Sequence, residues 1–69
     1  MNRTTHIVFD AFKRMNLYDQ EYDRCKFQLQ SNGLSDATRA LLADGMQYAA
    51  WRRGLLHRFI ERMGRVSAQ

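Results

Sequence analysis

Proline is absent from these 69 residues, and cysteine occurs once, at Cys25. Without proline, nothing in the chain forbids long uninterrupted helices. One thiol cannot close an internal disulfide. Cys25, His6 and His57 are the only soft ligands and stand far apart, so no metal-binding spacing exists. Long apolar runs are missing too. A spanning helix needs about 20 apolar residues, whereas the N-terminal stretch offers three, Ile7 to Phe9, before Asp10. The same stretch is too short for the core of an export signal. A lone cysteine and no such signal lead us to expect a cytoplasmic protein, or one that leaves by a route needing no signal of this type.

The patterns that carry catalysis are also missing. There is no glycine-rich phosphate loop, no HExxH and no Ser/His/Asp set in a recognisable setting. A two-helix chain encloses no pocket on the order of several hundred Å³ unless an oligomer makes one. We therefore expect no enzyme, no cofactor and no bound metal.

What is present is helical periodicity. Leu42, Met46, Ala49, Leu56, Phe59, Ile60, Met63 and Val66 recur at steps of three, four or seven, which is the period of one helical face. Ser35 is suited to cap the start of this helix, with Asp36 just inside it at the positive end of the helix dipole. Arg62 and Arg65 lie near its C-terminus, where cations are favoured. Gly45 lies on the ridge of Leu42, Met46 and Ala49. It marks either a close approach of another backbone or a local break.

The first half carries a second seam. Val8, Met15, Tyr22 and Leu29 are spaced by seven, and Ala11, Tyr18 and Cys25 follow the first three by three. Phe12 is expected to widen this seam. Thr4 or Thr5 can cap the helix, and Asn16 and Leu17 are where it would be interrupted. Asp19, Glu21 and Asp23 are expected to form a solvated acidic surface, and Asp10 to pair with Arg14 one turn on. Phe9, Leu17 and Phe27 fall off the seam, which points to a second contact surface.

Asn32 and Gly33 supply turn chemistry between the two periodic stretches. So short a connection makes the helices antiparallel neighbours. The expected fold is all-α: one hairpin domain over residues 1–69, with helix one at about 5–30, a turn at 31–34 and helix two at about 35–66. The packing seam would comprise Val8, Met15 and Tyr22 against Leu42, Ala49, Leu56 and Met63. Below roughly 70–80 residues one core rarely supplies more than about 3–5 kcal/mol. Disulfides and metals being excluded, association remains, and the hairpin is expected to complete a helical bundle with a copy of itself or with a partner.

Charge is distributed unevenly. Residues 1–50 hold six Lys/Arg and six Asp/Glu, whereas residues 51–69 hold five arginines against Glu61. All of the net +4 therefore belongs to the C-terminal part. Trp51, Leu55, Arg58, Arg62 and Arg65 recur at steps of four and three, forming a basic stripe beside the apolar face. The plainest reading is a solvated face whose arginine stems cover the core edge and whose tryptophan completes it. Two functional readings stand beside it. In one, Trp51, Arg58, Arg62 and Arg65 bind an acidic or helical protein, as in an adaptor, a chaperone-like partner or a small regulator. In the other, a dimer presents the same residues to nucleic acid, where arginine engages phosphate and a ring stacks on a base. Membrane binding is not expected. His57 stands between Arg53 and Glu61, and Cys25 reads as a small buried hydrophobe.

Overall fold

A computed structural model describes residues 3–68, with side chains through residue 65. It consists of two helices, α1 (Arg3–Leu29) and α2 (Asp36–Ala68), folded into an antiparallel hairpin. The Cα envelope measures 53 × 17 × 13 Å, that of two rods side by side.

The turn is built as the residue types dictate. The last turn of α1 tightens, with Gln30 N–H bonded to the Phe27 carbonyl and Ser31 N–H to the Gln28 carbonyl, both at 3.1 Å. Gly33 then takes φ +82°, a conformation that L side chains rarely adopt. Ser35 caps α2: its Oγ accepts the Thr38 N–H at 3.1 Å and donates to Thr38 Oγ1 at 2.8 Å. Arg39 reaches back from α2 to the end of α1, donating to the Leu29 carbonyl at 3.4 Å and the Ser31 carbonyl at 3.5 Å. It thereby satisfies carbonyls that the end of α1 leaves unbonded.

Several boundary expectations are corrected. α1 runs unbroken through Asn16 and Leu17, and α2 runs unbroken through Gly45. Thr4 and Thr5 lie inside the first turn of α1, which begins at Arg3. Asp10 and Arg14 do not come within ion-pair distance. The two helices have 27 and 33 residues, about 40 and 50 Å at 1.5 Å per residue.

The helices meet along the expected seam. Ala11, Met15, Cys25 and Ala49 are buried, and Val8, Tyr22, Leu42, Leu56 and Met63 are half-buried. The side chain of Val66 lies outside the described residues. Phe12 does not widen the seam: it is 53% exposed, on the shoulder of α1. Close approach comes instead from small residues. A Cβ placed on Gly45 would lie 3.2 Å from Cys25 Sγ, inside ordinary contact distance. Of the two readings of Gly45, the structure has the close packing.

Gly54 is the opposite case, since a Cβ there would meet nothing within 4 Å. Gly54→Ala should therefore raise stability by about 0.5–1 kcal/mol through helix propensity alone. In a domain of this size that is a rise in Tm of roughly 4–8 °C per kcal/mol, measured by circular dichroism. A lowered Tm would mean that another molecule closes on Gly54 in the folded assembly.

Candidate functional site: the outer face of α2

The five C-terminal arginines do not act as one group, because their helical positions divide them. Arg52 and Arg53 follow Ala49 by three and four, on the side that meets α1. Arg52 Nε donates to the Tyr18 hydroxyl at 3.3 Å, and its guanidinium carbon lies 5.8 Å from the Tyr18 ring and 5.9 Å from the Trp51 ring. Arg53 Nε pairs with Asp19 Oδ1 at 2.6 Å. Asp19 is thus not part of a freely solvated acidic surface but is tied to the facing helix. Among its acidic neighbours, Glu21 pairs with Arg24 along α1. Both pairs are solvated, which keeps the contribution of each small.

The Arg52–Tyr18 contact has an electrostatic consequence. The hydrogen bond from Arg52 holds the Tyr18 hydroxyl below the usual tyrosine pKa, against the smaller opposing effect of burial. The same bond raises the pKa of Arg52. Tyr18 also meets Tyr48 edge-on, with ring centroids 6.2 Å apart, and Tyr48 lies 6.1 Å from Trp51. An aromatic row therefore runs from α1 across α2 to Trp51, which remains 56% exposed.

The remaining stripe residues sit beyond this row. Arg58 donates from Nε to the Gly54 carbonyl on its own helix at 3.4 Å. Arg65 lies 3.9 Å from Glu61, whose other carboxylate oxygen is 3.5 Å from His57 Nδ1. Arg62 is exposed and has no ion-pair partner among the described residues. The structure thus places Trp51, Arg58, Arg62 and Arg65 on the outside of α2, as their spacing predicts, with Arg62 the least engaged.

Two contacts were not anticipated from sequence, Tyr18–Arg52 and Asp19–Arg53. The signal for them was the distance of both arginines from Ala49, which places them on the seam side and not on the stripe. Exposed apolar groups flank the site: Leu41 is 72% exposed and Tyr48 55% exposed, and Leu55 and Phe59 also reach the surface. On α1, Phe9, Leu17 and Phe27 are exposed as their off-seam positions predict.

Cys25 is a buried free thiol. Among the described residues no group of three His, Cys, Asp or Glu side chains could hold a metal ion. Among them also, no helix is long and apolar enough to cross a membrane.

The fold and the site together define a small all-α hairpin with large apolar side chains exposed along α2. The chain matches no protein-family model, and no curated protein or solved structure was found to resemble it.

Proposed function

We propose that this chain is a small non-enzymatic, cytoplasmic protein-interaction module, such as an adaptor, a chaperone-like partner or a small regulator. It works by packing helices against another folded chain. One observation carries the reading: among the described residues the hairpin buries four, Ala11, Met15, Cys25 and Ala49, while ten large hydrophobic side chains stay exposed. A solvated monomer gains little from such a core and loses much by wetting the rest. The arginines of α2 would orient the partner and speed its approach to an acidic surface.

Thermal melts of the isolated chain test this. A module that borrows surface melts with a Tm that climbs with concentration, or shows no cooperative transition until its partner is added. A sharp, concentration-independent transition of a monomer would remove the support for the reading. Arg62→Glu should weaken partner binding by roughly tenfold while leaving helicity unchanged. Undiminished capture of the partner by the variant would take the basic stripe out of the account.

The exposure of Trp51 on the same face of α2 as the uncommitted Arg62, about three turns away, favours a second reading, a dimer that binds nucleic acid. Such binding should weaken steeply as salt is raised, roughly in proportion to the phosphates contacted. Failure to retain DNA or RNA at low salt rules it out. The ties of Arg52 to Tyr18 and Arg53 to Asp19 weigh against it, because they engage two of the five arginines within the hairpin.

A further inference from the structure

The outer side of α2 carries a heptad of its own. Asp44, Tyr48, Trp51, Leu55, Arg58 and Arg62 follow one another at steps of four, three, four, three and four. This is the spacing of a coiled-coil seam, yet α1 packs mainly on another side of α2, along Leu42, Ala49 and Leu56, and meets this seam at Tyr48, whose ring lies edge-on to Tyr18. All six side chains are exposed. Neither Asp44 nor Arg62 has an ion-pair partner among the described residues.

The order of residue types along this seam selects its occupant. It runs from acidic through apolar to basic. A parallel copy would set Asp44 against Asp44 and Arg62 against Arg62. An antiparallel copy does the reverse. Trp51 and Leu55 lie two residues to either side of position 53, Tyr48 and Arg58 five, and Asp44 and Arg62 nine. One two-fold axis at that position therefore brings Trp51 onto Leu55, Tyr48 onto Arg58 and Asp44 onto Arg62, each pair formed twice. That is the self-complementarity an isologous dimer requires. The centre is apolar, the next layer stacks a guanidinium on a ring, and the outer layer is an ion pair.

We infer that a second copy of this chain docks antiparallel along this seam, giving a four-helix assembly with the two α2 helices at its centre. The inference rests on the interaction-module reading and names the partner. A stable interface takes about 800 Å² from each partner, about one-seventh of the chain's 5682 Å². The seam spans 19 residues of α2, or about 28 Å of helix.

Charge exchange tests the dimer on the full chain. In sedimentation equilibrium the wild type should weigh twice its 8.2 kDa, and Trp51 emission should shift to the blue as the dimer forms. Asp44→Arg and Arg62→Asp should each raise the dissociation constant tenfold or more, by roughly the cost of facing like charges. Helicity should not change, since both positions are exposed. An equimolar mixture of the two variants should recover the dimer. One chain then carries arginine at both positions and the other aspartate at both, so every ion pair is restored.

A wild-type dimer indifferent to both substitutions, or a mixture no tighter than its components, overturns the antiparallel seam and leaves the interaction module standing on another face. A wild-type monomer overturns it as well. If that monomer melts cooperatively only after an acidic helical protein or RNA is added, the seam serves that occupant. If it melts sharply alone, the interaction-module reading falls too.

Discussion

Ala49→Asp abolishes the folded hairpin. Ala49 is 1% exposed, the most buried position described, and sits beside Tyr18 and Tyr22 of α1. A carboxylate there has no solvent and no donor. The neighbouring cations are committed, Arg52 to Tyr18 and Arg53 to Asp19. Leaving a buried charge unpaired costs about 3–5 kcal/mol, and a single core in a chain of this size supplies about 3–5 kcal/mol in all. The substitution therefore consumes the whole margin. The variant should show no cooperative melt by circular dichroism at a concentration where wild type does. Ala49→Gly, which brings no charge, should lose only about 1 kcal/mol. An Ala49→Asp melt that overlays the wild type would show that this residue is not at the helix crossing.

The second large effect is Gly45→Val, with its rescue by Cys25→Ala. A Cβ at position 45 already lies 3.2 Å from Cys25 Sγ, and the two methyl groups of valine extend further into the same space. Overpacking of this kind costs about 1–3 kcal/mol. It would be relieved mainly by the helices moving apart, which wets Ala49 and Met15 as well. Cys25→Ala deletes the obstructing sulfur. The double variant should then be more stable than the two single losses predict, with a coupling of about 0.5–3 kcal/mol in urea unfolding. Strict additivity would mean that Gly45 and Cys25 do not face each other. The contrast with Gly54→Ala is instructive: the same residue type on the same helix is tied to a close approach at one position and is replaceable at the other.

The division of the arginines bears on function as much as on packing. Counted by composition, the C-terminal part is a strongly basic patch. Arg52 and Arg53 instead fasten the hairpin across its seam, and Arg65 shares Glu61 with His57. What remains outward is narrow: Arg58 and Arg62 next to an aromatic row, with Asp44 at the far end of the same stripe. A surface of mixed sign and apolar centre suits a protein more than a phosphate backbone.

The features legible in the sequence share a property. Their role follows from position within one element. The seam of Val8, Met15 and Tyr22 facing Leu42, Ala49, Leu56 and Met63 follows from spacing, because a helix repeats its face every three to four residues whatever it packs against. The Ser35 cap and the turn at Gly33 follow from local hydrogen bonding and from φ. Exposure of Phe9, Leu17 and Phe27 follows from their distance from that seam.

What needed the tertiary structure depends on how the two helices are set against each other. Whether Gly45 is a break or a contact is decided by Cys25, twenty residues earlier in the chain. Whether Phe12 joins the core is decided by the axis along which α2 crosses α1. Whether Asp19 is solvated, and how many arginines are left for a partner, is decided by rotation of one helix about its own axis relative to the other. Helical periodicity names a face but leaves that rotation and the crossing open, because they are set by which small residues let two backbones come together.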